Sequence, residues 1–210
     1  MPAMPAEEPA PEPDQPMSVD AAALKALAHP LRVRMYELLS DGGPATASQL
    51  AARVGESSGT TSYHLRFLAR HGFIEEAEQG SKRERWWQVR PGGFRLEGQR
   101  FLDDPESARD LRAAGQELWR GYATQLQRWF EAAPTWDQAW ISSSVSNTTR
   151  VVATAEEMVA MREEVLEVLQ RHADALRDRE PPADAARVVA QFHLFPVEPI
   201  APEDDDTASG

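Results

Sequence analysis

One stretch, Ser57 to Gly72 (SSGTTSYHLRFLARHG), constrains the fold of this chain more than any other. Read at the spacing of an α-helix, it places Thr61, Leu65 and Leu68 on one apolar side. The outward face and its flanks carry no acid. They consist of Gly59, Thr60, Ser62, Tyr63, Arg66 and Arg70. Hydroxyls, an aromatic ring and guanidinium groups suit phosphates and base edges in a DNA major groove. The stretch therefore predicts a recognition helix.

A second, shorter helix is predicted immediately upstream. Thr46 to Gln49 has the form of a capping box, with Thr as the N-cap and Gln three residues later. Leu50 and Val54 then point inward, and Gly55 ends the helix. Two helices joined by a short turn that contains Gly are typical of a helix-turn-helix unit. An ordinary amphipathic helical hairpin is the alternative that this region alone leaves open.

A net charge of −12 would argue against nucleic-acid binding only if the charge were spread evenly along the chain, and it is not. The segments 1–17, 97–197 and 198–210 carry −4, −6 and −5, whereas residues 18–96 carry +3, with 11 basic and 8 acidic side chains. The positive segment is the one that contains the predicted recognition helix. The charge pattern therefore favours DNA as its partner.

Composition and periodicity predict a chain that is mainly α with α+β, in five segments. Residues 1–17, rich in Pro, Ala and acid, are expected to be a disordered arm, and residues 18–96 a winged helix DNA-binding domain. Residues 97–134 are expected to form a linker and a long dimerisation helix. Residues 135–197 are expected to form a small α+β effector or assembly module, followed by a disordered acidic tail at 198–210.

Within the winged helix, two helices are predicted before the helix-turn-helix. Ser18 is expected to cap the first, which runs to about Ala28, and Pro30 begins the second. After the recognition helix, residues 73–78 and 83–90 have strand character around a turn at 79–82. This hairpin with a basic tip is the expected wing, and one tryptophan of the Trp86–Trp87 pair is expected in the core.

The long helix from Pro105 to about Ala133 has an apolar seam. We expect it to hold two copies of the chain together, because a seam of this length would otherwise form a large exposed patch. Packing within one chain is the alternative that remains open. The predicted dimerisation residues are Leu111, Leu118, Tyr122, Leu126 and Trp129.

The region after Thr135 predicts a strand, a helix and a strand. Residues 139–147 and 187–195 are the expected strands, and Thr154 opens a helix that runs to about Arg179. Serine hydroxyls alternate along the first strand, at 142, 144 and 146, beside apolar residues. This pattern motivates the hypothesis that the module binds a small organic effector.

The residue types exclude several other functions. The chain has no cysteine, and therefore neither disulfides nor thiolate metal ligands. His172 and His193 lack a second histidine at helical spacing, so both are interpreted as structural and no metal or other cofactor is expected. We find no phosphate loop, nucleophile elbow or metal-spaced His/Glu set. The lack of these catalytic motifs predicts that the protein is not an enzyme. No membrane span or signal peptide is evident, which predicts a cytoplasmic protein.

The run from Leu24 to Val89 resembles the ArsR-type winged-helix transcriptional regulators. The motifs that carry the resemblance are LKALAHPLR from Leu24, TTSYHLRFL from Thr60, HGFI from His71 and RERWW from Arg83. The resemblance implies a homodimer on an imperfect palindrome of double-stranded DNA, acting as a repressor that an effector releases. Metal-sensing members carry a cysteine motif before the recognition helix, where this chain has SQLAAR from Ser48. Metal sensing is therefore not carried over.

The predicted DNA-binding residues combine the outward face of the recognition helix with the wing. By the resemblance, Thr60, Ser62, Tyr63 and Arg66 face the groove, and Arg83 and Arg85 lie on the wing. The full predicted set is Ser58, Thr60, Ser62, Tyr63, Arg66, Arg70, Lys82, Arg83 and Arg85. The alternative function is a winged helix that binds protein and does not read DNA, since a fold does not fix a function.

Overall fold

The computed structural model describes residues 16–77, 84–97, 101–177 and 179–199. The predicted arm up to residue 15, the turn at 79–82 with Lys82, Arg83 at the start of the second strand, and the tail from residue 200 lie outside these residues. The chain divides into two compact units, Met1–Asp137 and Gln138–Gly210, here called unit 1 and unit 2. The fold is mainly helical with small sheets, as the sequence predicts.

Unit 1 contains five helices and five short strands among its described residues. In chain order these are β1 (Met17–Ser18), α1 (Ala21–Leu27), α2 (Pro30–Gly42), β2 (Ala45–Thr46), α3 (Ala47–Val54), α4 (Ser58–Arg70), β3 (Ile74–Glu76), β4 (Trp86–Val89), β5 (Phe94–Arg95) and α5 (Pro105–Ala132). A 3-10 turn at Ala133–Thr135 follows.

The beginning of unit 1 differs from the prediction. Asp20, not Ser18, caps α1, with its Oδ1 accepting a hydrogen bond from the Ala23 backbone N–H at 2.6 Å. Ser18 and Met17 instead form β1, which pairs in parallel with β5. Met17 is buried, so it belongs to the core and not to the arm. The pairing joins residues that are distant in the chain, which local periodicity could not reveal.

The predicted caps of the next helices are confirmed. Pro30 stands at the start of α2, where the His29 Nδ1 accepts from the Leu31 N–H at 3.2 Å. The Thr46 and Gln49 side chains form the reciprocal capping box of α3. Gly55 ends α3 with φ 73°, a left-handed conformation that glycine adopts without strain. These local signals fix where the helix-turn-helix begins and turns.

The wing is an antiparallel sheet with strand order β2-β4-β3. Both strands of the hairpin are shorter than predicted, and Ile74 pairs with Val89 while Glu76 pairs with Trp87. Trp87 is buried and Trp86 is half-buried, which confirms that one tryptophan lies in the core. β2 adds a third strand by pairing Ala45 with Trp87.

Helix α5 packs along its own chain, which corrects part of the predicted dimer seam. Leu118 is buried beside Ala114 in the core, and Leu111 and Tyr122 are partly buried against it. Leu126 remains largely exposed, and Trp129 is half-buried with its ring centroid 6.0 Å from that of Trp136. Helical spacing identifies an apolar stripe but not its partner, and here α1 and α2 cover half of it.

Unit 2 differs from its predicted strand–helix–strand order. Residues 138–143 form helix α6 (Gln138–Ser143), and residues 187–195 form no strand. In α6 the Ser143 hydroxyl donates to the Ala139 carbonyl oxygen at 2.8 Å, a local bond that competes with extended structure. A strand also needs a neighbouring strand to pair with, which alternation in the sequence does not supply. The predicted helix is present as α7 (Ala155–Arg177), and Thr154 caps it.

Candidate nucleic-acid interface

Helix α4 has one face in the core and one face in solvent, as the sequence predicts. Thr61, Leu65 and Leu68 are fully buried. Ser58, Tyr63, Arg66 and Arg70 are exposed, with Tyr63 at 57% of its full accessibility, and Thr60 and Ser62 are half-buried. More than half of the Tyr63 side chain is in solvent, between hydroxyl and guanidinium groups, although its ring also contacts His64. The outward face is therefore free to contact a partner.

The amino-terminal end of α4 is fixed by its own side chains. The Ser57 Oγ accepts from the Thr60 backbone N–H at 3.1 Å and lies 2.9 Å from the Thr60 hydroxyl oxygen. No acidic residue stands in the first turn of the helix. The positive end of the helix dipole is therefore not neutralised by a carboxylate in the first turn. Such a helix end attracts phosphate.

His64, which the sequence analysis missed, anchors the underside of α4. It is buried, and its ring centroid lies 4.6 Å from that of His29 at the start of α2 and 5.2 Å from that of Tyr63. Its Nδ1 is buried without a hydrogen-bond partner among the described residues. The histidine of the TTSYHLRFL motif thus positions the neighbouring Tyr63 and does not itself face outward.

Burial and nearby positive charge favour the neutral form of this histidine pair. Burial lowers the pKa of His64, with further lowering by His29 and by Arg32. Burial also lowers the pKa of His29, followed by the charge of Arg32. The only sequence signal for this pair is that the two histidines occur in separate motifs of one domain.

Arg32 ties three helices together beneath the interface. Its Nε donates to the Ala26 carbonyl oxygen at 2.7 Å, and its Nη2 donates to the Lys25 carbonyl oxygen at the end of α1. Its guanidinium carbon lies 4.5 Å from the ring centroid of Phe67 on α4, within the range of a cation–π contact. The position of α4 is therefore fixed by buried contacts and not by its exposed side chains.

A recess of about 290 Å³ separates α4 from the wing. It brings together two predicted residues of α4, Ser62 and Arg66, with the predicted wing residue Arg85. The sequence analysis did not include the residues at the start of α3 that complete its lining. The lining residues are Thr46, Ala47, Ser48, Ser62, Arg66, Glu84, Arg85 and Trp87.

Arg85 has an intramolecular partner in this state. Its Nε lies 3.1 Å from the Glu76 carboxylate, and both side chains are more than half exposed. Its guanidinium carbon is 5.6 Å from the Trp87 ring centroid. An exposed ion pair of this kind is worth about 1 kcal/mol or less, so a DNA phosphate can replace the carboxylate. Tyr63 and Arg70 do not line the recess, and Lys82 and Arg83 lie outside the described residues.

A metal site and a membrane-spanning helix have no support in the described residues. The histidines and carboxylates of these residues form no group of three that could hold a metal ion. No helix in the described part of the chain combines the length and hydropathy needed to cross a bilayer.

Residues 27–77 match the model of a family described as a helix-turn-helix domain. A crystal structure described as a possible transcriptional regulator for arsenical resistance is 28% identical to this chain, with 48% of this chain and 93% of that one covered and a TM-score of 0.29. No curated protein matches the chain. The family match spans α2 to β3 and confirms the predicted helix-turn-helix. It supports a DNA-binding regulator of transcription, a role that is not enzymatic.

Proposed function

We propose, from the helix-turn-helix domain at residues 27–77, that this chain is a sequence-specific transcriptional repressor that binds an imperfect palindrome as a homodimer. The observation that carries the proposal is the outward face of α4, which is polar, basic and free of acid over a rigid buried underside. In helix-turn-helix complexes such a face enters the major groove with its amino-terminal residues on base edges.

Two sets of residues have different roles in the proposed complex. Thr60, Ser62 and Tyr63 lie near the start of α4 and read bases, whereas Arg85 lies on the wing beside the recess and contacts phosphate. Arg66 contributes to the recess and contacts the same phosphate run. Ser58 and Arg70, at the two ends of α4, are proposed to contact the DNA backbone, and so are Lys82 and Arg83, which lie outside the described residues.

The homodimer is proposed to form through the part of α5 that its own chain leaves uncovered. Trp119 and Phe130 are 59% and 60% exposed, and Leu126 is 42% exposed. Their spacing of seven and four residues places them, with Ala123, on one stripe of the helix. In the seam predicted from the sequence, Leu126 and Trp129 are still accessible to a partner, whereas Leu118 is not accessible.

Release from DNA is proposed to require a small organic molecule. The support is the resemblance to effector-released regulators together with the lack of any cysteine for a thiolate metal site. The expected hydroxyl-lined strand did not form, so the proposal no longer names residues for this molecule. Operator release by a metabolite extract but not by divalent metals is the expected result.

The decisive experiment selects bound duplexes from a random library and measures affinity on the selected and a scrambled site. Tyr63→Ala should cost about 1–3 kcal/mol on the selected site and little on scrambled DNA. Arg112→Ala, on the exposed side of α5, is the control and should leave both affinities unchanged. If no sequence is enriched and Tyr63→Ala has no effect, the face binds protein instead, which is the alternative function.

The dimer is tested separately by sedimentation of the free protein. Phe130→Glu should raise the dissociation constant of the dimer, because it places a charge in the apolar stripe of α5. Glu131→Gln, on the adjacent exposed position, is the matched control. A wild-type chain that sediments as a monomer at micromolar concentration would contradict the homodimer.

A further inference from the structure

Two histidines lie beneath the residue that is proposed to read bases. His64 is buried on the underside of α4, and its ring centroid is 5.2 Å from that of Tyr63 and 4.6 Å from that of His29. The ring planes of His64 and Tyr63 are inclined at 75°, which makes this an edge-to-face contact. The exposed tyrosine therefore packs on a side chain whose charge changes at a pH near the physiological range.

The polar atoms of the pair are arranged for neutral rings. The His29 Nδ1 accepts a hydrogen bond from the Leu31 N–H at 3.2 Å, which requires that this nitrogen carry no proton. The His64 Nδ1 is buried without a hydrogen-bond partner among the described residues. A charged imidazole has an N–H group at both nitrogens. Protonation would therefore break the cap of α2 at His29 and leave a buried donor unpaired at His64.

The cation nearest the pair makes a further positive charge unfavourable. Arg32 donates to the carbonyl oxygens of Lys25 and Ala26, and its acceptors among the described residues include no carboxylate. Its charge lowers the pKa of both histidines, in addition to the lowering by burial. A protonated pair would thus place like charges together in a partly desolvated space, where they repel more strongly than in water.

Two acids face the pair from other elements, and neither offsets this repulsion. The charge of Glu117 on α5 raises the pKa of His29, as does a backbone hydrogen bond, but both Glu117 carboxylate oxygens accept from Arg120 Nη1 at 2.6 Å. Glu56, before the start of α4, raises the pKa of His64 and is exposed, so solvent screens its charge. Burial and Arg32 therefore dominate at both rings.

We propose that His29 and His64 form a pH-sensitive support for Tyr63, so that protonation of the pair weakens recognition of the operator. His64 is a positioning residue in this arrangement, because it contacts Tyr63 and not DNA. The inference rests on the proposed function, in which Tyr63 reads bases. DNA phosphates attract added positive charge whatever the base sequence, so acidification strengthens sequence-independent binding. The property that the switch controls is therefore selectivity for the operator.

The test measures affinity for the selected operator and for a scrambled duplex from about pH 7.5 to about pH 5.5 at constant ionic strength. The ratio of the two affinities should be constant down to about pH 6.5, since the pair is neutral there, and should then fall by about threefold to tenfold. Taking the ratio removes the sequence-independent attraction. A wild-type ratio that stays constant over the whole range would overturn the proposal.

Two neutral replacements isolate the pair. His29→Asn keeps a side-chain acceptor for the cap of α2, and His64→Gln keeps a neutral polar group beneath Tyr63. The double variant should lose the pH dependence of the ratio, and each single variant should show a smaller fall than the wild type. His172→Gln, at an exposed position of α7, is the control and should keep the wild-type profile. A fall of the wild-type size in the folded variants would overturn the proposal.

Proton NMR of the free protein gives a readout that needs no DNA. The ring signals of Tyr63, assigned with Tyr63→Phe, should shift with the same midpoint as the imidazole signal of His64, assigned with His64→Gln. If no duplex is selected at about pH 7.5, the proposed function fails, and the shared midpoint still tests the support of Tyr63 by His64. Tyr63 signals that do not follow the titration of His64 would overturn the proposal.

Discussion

The imidazole ring centroids of His29 and His64 lie 4.6 Å apart and connect the start of α2 to the underside of α4. Burial lowers the pKa of both rings, and the positive charge of Arg32 lowers the pKa of each further. A backbone hydrogen bond and the charge of Glu117 raise the pKa of His29, and the charge of Glu56 raises that of His64, so these act in the opposite direction. Protonation of the pair therefore acts on the element that is proposed to read DNA.

The first prediction concerns the pH dependence of stability. Both histidines have pKa values lowered by burial, so below the unfolded pKa the unfolded chain binds protons that the native chain does not. The free energy of unfolding should therefore fall as the pH decreases below about 6.5. His64→Gln should flatten this dependence. Urea titrations at several pH values provide the measurement, with His172→Gln in unit 2 as the control.

The second prediction uses two glycines of α5. A Cβ built on Gly115 meets nothing within 4 Å, so Gly115→Ala should raise the free energy of unfolding by about 0.5–1 kcal/mol through helix propensity. A Cβ on Gly121 would lie 2.8 Å from the Glu37 Cδ. Gly121→Ala should therefore gain less than Gly115→Ala or become destabilising, as measured by chemical denaturation.

The role of Glu37 in this difference can be isolated. Its carboxylate lies 3.2 Å from Arg34 Nη1, and burial raises its pKa. In a Glu37→Ala background the two glycine substitutions should give similar gains. A persistent deficit of Gly121→Ala in that background would contradict the proposed clash.

The third prediction separates capping from DNA binding at Ser57. Ser57→Ala removes the acceptor of the Thr60 N–H bond and should cost about 1 kcal/mol of stability. Ser57→Asp keeps an acceptor and should preserve stability, but it places a carboxylate at the end of α4 proposed to lie near phosphate. Thermal unfolding and operator titrations on both variants provide the comparison. If Ser57→Asp and the wild type bound the operator with equal affinity, this end of α4 would lie away from the DNA phosphate backbone.

The fourth prediction concerns the ion pair between Glu76 and Arg85. Glu76→Gln removes the carboxylate with which a phosphate must compete, so DNA affinity should rise by about twofold to fivefold on operator and scrambled sites alike. Glu97→Gln is the control. Glu97 lies 4.0 Å from Arg95, and neither residue lines the recess. Unchanged affinity of Glu76→Gln would indicate that Arg85 does not contact DNA.

Local signals in the sequence predicted the helix-turn-helix well. The capping box at Thr46, the turn at Gly55 and the buried stripe of Thr61, Leu65 and Leu68 each depend on residues within a few positions of one another. His64 was missed because its function comes from His29, which lies on another helix. A sequence read one element at a time does not show such a pair.

The remaining errors concern partners that are distant in the chain. The apolar stripe of α5 is predicted to meet a second copy, with packing inside one chain as the alternative. Leu118 packs in its own core, because the helical period does not identify the neighbour. The two strands expected in unit 2 are absent because alternation alone does not supply a hydrogen-bonding partner. Met17 was placed in the arm although its strand partner is Phe94.

The pairing of β1 with β5 has a mechanical consequence for unit 1. The Met17 N–H donates to the Gly93 carbonyl oxygen at 3.0 Å, and the Val19 N–H donates to the Arg95 carbonyl oxygen at 3.1 Å. Because the strands are parallel, a pull that separates the two ends of this domain loads both hydrogen bonds in shear at the same time. The pairing thus closes the chain between residues 17 and 95 into a loop. A chain shortened to begin at residue 19 would lack β1, one of the two strands that close this loop.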